Sequence, residues 1–300
     1  MTVKKVHASV TGRFTFRKPQ PARMPETNIR TGPLSMPRDD QMPANAAPTI
    51  VVLAAPGLIP VILINALAAV FRGRVIVIEE RPEGPIALAR RRARRLGIIT
   101  AFGQIGTAIA SRALKKTSRA RIDAILASYG HKANLVTDVV RIPVATVNNA
   151  ETRSAIARLK PDVVVTIACR ILGRETLATA PCPILNFHAG INPAYRGQMG
   201  AYWALALGDS ENFGATIHLV DAGIDTGATL YELRLKPDPA DTMATYPLLL
   251  AAAGAKALTQ AVHDALSGTL RPIQPKGPSK LHYPPTLWQW VWTGIRRGIW

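Results

Sequence analysis

The chain has 300 residues, of which 48% are apolar, so it can build one α/β domain of ordinary size with extensions, or two small domains, and disorder throughout is excluded. Its formal charge of +18 predicts attraction to nucleic acid, anionic lipid or a phosphorylated substrate, without choosing among them. Two cysteines, Cys169 and Cys182, and six scattered histidines lack the spacing of a zinc site, so no metal is expected.

The first 48 residues carry many basic, Pro, Thr and Asn side chains and show little hydrophobic periodicity. That composition predicts a disordered basic arm over residues 1–48. No apolar segment follows the basic residues, which argues against a secretory signal. Met36 and Met42 are alternative starts that would shorten the arm.

Regular structure is predicted to begin at Thr49. The β-rich run 49–55 indicates a buried strand, the apolar run 59–71 a buried helix, and residues 74–80 a second strand. A strand, a helix and a strand within so short a length predict a βαβ unit with a right-handed crossover.

Residues 85–128 hold ten Lys or Arg side chains and no acid before Asp123, with an apolar stretch over 96–111 between two basic clusters. The stretch is too short to span a bilayer comfortably, and its three glycines weaken it as a helix. Two interpretations stay open. The segment forms helices that pack on the sheet with solvated arginines, or residues 85–121 form an interfacial helix pair on anionic lipid.

Strands and helices alternate from residue 142 to residue 266. Strands are predicted at 142–147, 162–168, 183–187, 215–220 and 228–235, and helices at 150–159, 173–180, 201–207 and 246–266. This alternation predicts an α/β, Rossmann-like fold, in which a mainly parallel twisted sheet carries helices on both faces. Residues 49–266 would form the single folded domain.

Residues 267–300 read as a Pro/Gly linker followed by a Trp/Arg-rich tail. Four of the five tryptophans lie in the last 13 residues, beside Arg296 and Arg297. Three interpretations remain for residues 287–300: packing back on the domain, insertion at an anionic membrane surface, or stacking on nucleic-acid bases.

Polar side chains cluster where two of the predicted strands end. Asn186 and His188 close one strand and point to the same side, because alternate residues of a strand share a face. The strand 215–220 leads into Asp221 and Asp225 among glycines. Ligands bind beyond the carboxyl ends of parallel strands, so these side chains lie where a site would form. Taken alone, however, an Asn-x-His pair or an Asp in a glycine-rich turn more often has a structural role. Two interpretations of His218 stay open: it lines the same site, or it is a core histidine whose hydrogen bonds are satisfied.

The strings 186–197 (NFHAGINPAYRG) and 221–227 (DAGIDTG), together with His218, resemble the catalytic core of the folate-dependent formyltransferases. That family includes methionyl-tRNA, glycinamide ribonucleotide and sugar N-formyltransferases. The resemblance covers roughly residues 49–266, which it identifies as a catalytic domain, and is specific from 161 to 232. It implies 10-formyltetrahydrofolate as cosubstrate and no metal.

The resemblance also implies roles for single residues. Asn186 and protonated His188 would stabilise the oxyanion, and Asp225 would hold His188 charged and help remove a proton from the amine. The turn 169–172 is similar to the pteridine-binding turn of the glycinamide ribonucleotide enzymes. The implied folate contacts are Arg170, Ile171, Leu172, Asp221, Ala222 and Gly223.

Departures from the family pattern reduce the number of acceptor substrates that fit this sequence. The loop 56–60 is apolar where the glycinamide ribonucleotide enzymes bind phosphate, and the residues after 266 are too few for the barrel of the methionyl-tRNA enzymes. The preferred acceptor is therefore an amino sugar on a nucleotide or lipid carrier. Methionyl-tRNA is the alternative, and a catalytically inactive formyltransferase-like binding protein is an alternative of another class. The expected location is the cytoplasm, with peripheral attachment at the inner membrane face as one alternative.

Overall fold

The computed structural model describes residues 28–29, 48–137 and 139–300. The arm predicted over residues 1–48 therefore lies almost wholly outside the described residues. Within them, Asn28–Ile29 form a short strand, β1, which pairs antiparallel with strand β9 (Thr229–Arg234).

The first half of the chain contains the βαβ unit and the basic helices. Its elements are β2 (Ile50–Ala54), α1 (Leu58–Val70), β3 (Val75–Glu80), α2 (Pro85–Leu96), α3 (Ile98–Thr117), α4 (Arg119–Tyr129) and β4 (Val140–Val144). The strand predicted at 142–147 begins and ends earlier than expected. It is the edge strand of the sheet, a position that tolerates Pro143.

The second half of the chain contains the elements that carry the polar clusters. They are α5 (Ala150–Leu159), β5 (Val163–Ile167), α6 (Arg174–Thr179), β6 (Ile184–His188), β7 (Arg196–Gly197), α7 (Gly200–Ala206), β8 (Gly214–Leu219), β9, α8 (Tyr246–Leu266), β10 (Leu281–His282) and α9 (Leu287–Arg297). The predicted helices 150–159 and 246–266 have the observed bounds.

The main sheet has the strand order β1-β9-β8-β6-β5-β2-β3-β4 among the described residues. The five strands from β4 to β6 run parallel, and β8, β9 and β1 extend the sheet in antiparallel pairs. The predicted α/β, Rossmann-like fold with a mainly parallel sheet is confirmed.

The core has two layers, one on each face of the sheet. Alternate residues of the central strands point to opposite faces: Ile50 and Val52 pack with α1 and α8, whereas Val51 and Leu53 pack with α5. Both strands at the centre, β2 and β5, are buried along their whole length. Helices therefore cover both faces, as predicted.

Gly97 separates α2 from α3, but α3 runs unbroken through Gly103 and Gly106, the other two glycines that were expected to weaken the stretch. Gly103 and Gly106 are the positions at which α9 packs: a Cβ at Gly103 would lie 2.5–2.7 Å from Trp288 and Thr286. The Thr107 hydroxyl donates to the Pro285 carbonyl at 2.8 Å. The expectation of a weak helix was wrong because packing against α9 offsets the low propensity of glycine. None of the described helices has the length and hydropathy to cross a membrane.

Residues 267–300, predicted as a linker and tail, fold back on the domain. Trp290 is buried, and the Trp300 ring covers Gly294. Strand β10 pairs parallel with β7, where the Gln198 amide donates to the His282 carbonyl at 2.9 Å. Intramolecular packing, one of the three interpretations of the tail, is therefore observed, and the boundary at residue 266 stays a prediction.

Candidate active site

A cavity of about 290 Å³ lies at the carboxyl ends of β5 and β6, where the sheet changes from parallel to antiparallel. Ligands of α/β sheets bind in the crevice beyond the carboxyl ends of the parallel strands. Its lining includes Thr166, Arg170–Leu172, Asn186, His188, Gln198, His218, Asp221, Gly223 and Asp225. Of the nine residues predicted for the site, eight line this cavity. Ala222 instead lines a shallow groove on the outer side of the same loop.

Asn186 is oriented by three hydrogen bonds at the end of β6. Its Oδ1 accepts from the Thr166 hydroxyl at 2.8 Å, which directs Nδ2 toward the opposite side. There Nδ2 contacts His218 Nε2 at 3.0 Å and donates to Asp225 Oδ1 at 3.3 Å. The amide group is therefore a fixed donor that faces the cavity.

Asp225 is the centre of the polar cluster. It has a left-handed backbone with φ of 51°, and its Oδ2 accepts from the Gly197 amide at 2.8 Å. Burial alone would raise the pKa of Asp225, but His188, His218 and the Gly197 amide together lower that pKa to about 2. The carboxylate is therefore a permanent anion between two histidines.

His188 lies beneath Asp225, with Nδ1 3.6 Å from Asp225 Oδ2. Its Nε2 is 2.8 Å from the Tyr195 carbonyl, which only accepts, so Nε2 carries the hydrogen. Burial lowers the pKa of His188 below its usual value, and attraction to Asp225 does not offset that effect. The expectation of a raised pKa, and so of a protonated His188 at rest, was wrong because the ring is almost fully buried.

His218 is a site residue that the sequence left undecided. It faces Asn186 across the β6–β8 pair, and its Nε2 lies 3.3 Å from Asp225 Oδ1. Its Nδ1 lies 2.7 Å from the Leu219 carbonyl, which only accepts, so Nδ1 carries a hydrogen and Nε2 is the ring nitrogen that faces Asn186 and Asp225. The cross-strand register was the missing signal, because it emerges only when β6 and β8 are paired.

Glu80, at the end of β3, was not identified from the sequence. Its buried carboxylate accepts from the Arg170 amide and from Arg170 Nη1, both at 2.6 Å, and from the Val147 amide at 3.2 Å. Glu80 thereby fixes the turn that carries Ile171 and Leu172 into the cavity lining. An acid at the end of a buried strand was the available signal.

Replacing Glu80 with glutamine should loosen this turn without emptying its space. The amide side chain would keep the shape but lose the charge that pairs with Arg170, so we expect about tenfold weaker binding of the ligand held by the turn, with a smaller effect on kcat. The measurement is titration calorimetry. The neighbouring variant Glu79→Gln, which removes an exposed pair with Arg141, is the matched control. If Glu80→Gln and Glu79→Gln weakened ligand binding equally, Glu80 would have no special role in holding the turn.

The lowered pKa of His188 also predicts how stability depends on pH. The unfolded chain protonates this histidine near 6.5, whereas the folded protein resists protonation, so stability falls as pH drops through 6.5. Asp225 acts in the same direction as pH falls from 3.8 to about 2. Between neutral and mildly acid pH, we expect the wild type to lose about 2–4 °C more in Tm than His188→Gln. Parallel Tm curves in differential scanning fluorimetry would overturn this expectation.

A second, smaller pocket of about 80 Å³ adjoins the cavity and shares Ile171, Gly197, Gln198 and Ile224 with it. We call it the arginine groove, because α2 contributes Arg91, Arg92 and Arg95 to its lining. Arg91 pairs with Glu83, whereas no ion pair within the described residues involves Arg92 or Arg95. Arg95 instead lies over the Tyr283 ring, 5.5 Å from its centroid.

Two buried polar atoms of the arginine groove also lack hydrogen-bond partners among the described residues. Gln104 uses its Nε2 to donate to the Pro284 carbonyl at 2.9 Å, and its Oε1 has no donor. His282 Nε2 is likewise unpaired. Buried polar atoms rarely stay unpaired in a folded protein, which distinguishes these two atoms from the other polar atoms of the groove.

A family profile described as formyl transferase matches residues 111–262, about half of the chain. The chain belongs to the formyl transferase family. The matched residues include the whole polar cluster of β6, β8 and the loop after β8. Burial of its sulfur raises the pKa of Cys169 to about 12, so the thiol is un-ionised at neutral pH, although the residue as a whole is partly exposed.

Relatives of known sequence include the methionyl-tRNA formyltransferase of Anaeromyxobacter dehalogenans, 38% identical over 40% of this chain and 39% of that protein. The methionyl-tRNA formyltransferase of a Synechococcus strain is 36% identical over 46% of this chain and 42% of its own length. The chain thus spans about two fifths of the length of these relatives.

Solved structures with a similar arrangement include a sugar N-formyltransferase from Shewanella, with 17% identity and a TM-score of 0.49 over 78% of this chain and 76% of that one. Phosphoribosylglycinamide formyltransferase from Streptococcus pneumoniae has 19% identity and a TM-score of 0.47, covering 72% of this chain and 97% of the other.

Proposed function

We propose that this formyltransferase moves the formyl group of 10-formyltetrahydrofolate to a primary amine. The observation that carries the proposal is the gathering of Asn186, His188 and Asp225 around one cavity at the carboxyl ends of β5 and β6. A fixed amide donor, a neutral imidazole and a permanent carboxylate are the groups that acyl transfer to an amine requires.

The cavity suits the pterin end of the cosubstrate. A volume of about 290 Å³ is at the lower end of ligand pockets, so it would hold the ring head while the rest of the molecule extends outward. Arg170–Leu172 and Asp221–Gly223 form two turns at its rim, and their backbone groups would bind the polar ring edge. Asp221 Oδ1 accepts from the Gly223 amide at 2.9 Å and from the Thr226 hydroxyl at 2.6 Å, which holds the second turn in place.

The bound cosubstrate supplies a formyl carbon whose oxygen gains negative charge when the amine attacks. Asn186 Nδ2 would donate to that oxygen in place of its longer contact, the one to Asp225 Oδ1 at 3.3 Å, while Thr166 and the β6 strand keep the amide fixed toward the cavity. A donor that is already oriented stabilises charge without reorganisation, and the loss of one such donor typically costs about 3–4 kcal/mol.

His188 would handle the proton. Its neutral ring has Nε2–H bound to the Tyr195 carbonyl, so Nδ1 is the free base. Nδ1 would accept the proton of the attacking amine as the new C–N bond forms, and return it to the leaving nitrogen as the old C–N bond breaks. Asp225, 3.6 Å away, would stabilise the imidazolium between those steps. With a pKa of about 2, Asp225 itself is too weak a base to hold the proton.

The arginine groove supports an acceptor that carries phosphate beside the amine. Arg92 and Arg95 offer positive charge next to the catalytic cavity, which suits a phosphate group. An amino sugar on a nucleotide or lipid carrier has both the phosphate and the primary amine. We therefore propose this class of acceptor for the enzyme.

The first test is calorimetric titration of the full chain with a stable analogue of 10-formyltetrahydrofolate. Micromolar binding is expected, and Glu80→Gln should weaken it. The absence of binding at any accessible concentration would overturn the proposal and favour the alternative of another class, an inactive formyltransferase-like binding protein.

The acceptor is tested with nucleotide-linked amino sugars and 10-formyltetrahydrofolate, by following tetrahydrofolate release and the mass of the product. Arg92→Gln and Arg95→Gln should raise the KM for the acceptor by about tenfold or more, with folate affinity unchanged. Arg90→Gln, on the same helix but outside the groove lining, is the matched control. An unchanged KM for the acceptor in both Arg92→Gln and Arg95→Gln would show that the groove does not bind the acceptor.

Methionyl-tRNA is the second candidate acceptor, favoured by the names of the relatives and by the charge of +18. Formylation of methionyl-tRNA at a rate that exceeds that of every amino sugar, together with salt-sensitive tRNA binding, would establish it. If the protein binds the folate analogue but formylates neither amino sugars nor methionyl-tRNA, the acceptor must be a different amine.

A further inference from the structure

Helix α3 presents an uninterrupted apolar stripe to solvent. Ile98, Phe102, Ile105 and Ile109 recur at helical spacing, and all four are exposed, with Phe102 at 74% and Ile109 at 61%. The opposite side of the helix, with Ala101, Gln104 and Thr107, is buried against the protein. The apolar stripe is therefore on the outward face, the reverse of the usual arrangement in a globular domain.

Helix α9 repeats this reversal. Trp288, Val291, Trp292 and Ile295 lie on one exposed face, whereas Trp290 and Gly294 are buried on the other. Thr286 begins the helix with a capping box, and the Gly298 amide closes it. The exposed tryptophans thus belong to a well-formed amphipathic helix.

The two stripes belong to helices that pack on one another, and we call the two exposed stripes together the apolar face. Trp288 packs on Gly103 and Leu287 packs on Gly106. The Gln104 and Thr107 side chains hydrogen-bond to the chain just before α9, at the Pro284 and Pro285 carbonyls. The apolar face is therefore built on a braced pair of helices.

Positive charge borders the apolar face. On α3, Arg112 and Lys116 continue the line of the stripe beyond Ile109, and on α9 Arg296 lies over the Trp292 ring at 5.2 Å from its centroid. Residues 85–122 and 287–300 contain twelve Lys or Arg and no Asp or Glu. Aromatic and aliphatic side chains bordered by arginine are the composition of helices that lie in a membrane interface.

We propose that the apolar face docks this protein on the surface of an anionic lipid bilayer. Anionic headgroups match the basic border, while the acyl boundary covers the isoleucines, Phe102 and the tryptophans. A second copy of the chain fits less well, because a symmetric contact would bring two unbalanced basic borders together. Nucleic acid would pair with the arginines but leave the apolar stripes in water.

The test is flotation of the full chain with vesicles of phosphatidylcholine, with or without one third phosphatidylglycerol. We expect binding to the anionic vesicles that weakens at high salt, and quenching of tryptophan fluorescence by brominated lipids. Phe102→Ser/Trp292→Ser should lower the partition coefficient at least about tenfold, since each side chain contributes through burial in the interface. Arg112→Glu/Lys116→Glu should remove the preference for anionic lipid.

A matched control and two contrary outcomes complete the design. Val140→Ser/Ile273→Ser removes two equally exposed apolar side chains outside the apolar face and should float like the wild type. Equal flotation of Phe102→Ser/Trp292→Ser and wild type, or no flotation at low salt, would overturn the proposal. The proposal would also be overturned if light scattering showed that the wild type is a dimer and that Phe102→Ser/Trp292→Ser is a monomer. It would likewise be overturned if tRNA prevented flotation and the double variant still bound tRNA.

Discussion

Asp225→Asn should reduce kcat for formyl transfer by about 10³–10⁴-fold while the folded structure persists. The amide would still accept from the Gly197 N–H, but the permanent charge between His188 and His218 would be gone. The imidazolium that forms on His188 would then lack its counter-ion in a buried site, where charge is costly. Single-turnover kinetics with the acceptor that proves active would measure the loss.

The control for this prediction is Asp162→Asn. Asp162 Oδ2 also accepts from a backbone amide, that of Thr49 at 2.8 Å, but it precedes β5 and so lies at the other end of the sheet from the cavity. We expect its kcat to equal that of the wild type. A kcat for Asp225→Asn within tenfold of the wild-type value would show that the carboxylate does not support proton transfer.

Asn186→Ala should lower kcat and kcat/KM together by about 10²–10³-fold. An equal fall in both is the signature of an interaction made only in the transition state, which is the expected property of an oxyanion donor. Affinity for the folate analogue should stay within a few-fold of the wild type, because the two turns at the rim are unchanged. Steady-state kinetics and calorimetry measure both quantities.

Thr166→Val provides an intermediate variant of the same contact. It removes the hydroxyl that donates to Asn186 Oδ1 at 2.8 Å and leaves the amide donor itself in place. Because the amide would lose only its orientation, we expect a loss of about tenfold in kcat. A larger loss from Thr166→Val than from Asn186→Ala would contradict the view that Thr166 acts through Asn186.

The sequence predicted those helices and strands whose formation depends on neighbouring residues, such as a helix cap or a continuous apolar run. Helix 150–159 was predicted with its observed bounds because Asn149 caps it, with Oδ1 accepting from the Thr152 amide at 2.9 Å. The buried strands β2 and β5 were recognisable as short apolar runs. Strands β7 and β10 were not, since each has two residues and exists only through pairing with the other. Helix α9 was missed because its apolar residues face outward and its aromatic composition suggested a tail.

The site was predictable in part for the same reason. The i, i+2 spacing of Asn186 and His188 places both in one cavity, and Asp225 joins them through the loop after β8. Glu80 and His218 required the order and register of strands, which no single segment encodes. The pKa of His188 was predicted in the wrong direction because a neighbouring charge is visible in sequence patterns, whereas the depth of burial is a property of the whole fold.

Strand β10 has a consequence for the order in which this protein becomes competent. The Gly197 amide that binds Asp225 belongs to β7, and among the described residues β7 pairs only with β10. A nascent chain that has emerged as far as Asp225 therefore contains every proposed catalytic side chain but not the strand that pairs with β7. That pairing can form only after Leu281 and His282 are synthesised. Products of translation or proteolysis that stop before Leu281 would carry the proposed catalytic side chains with β7 left without this partner.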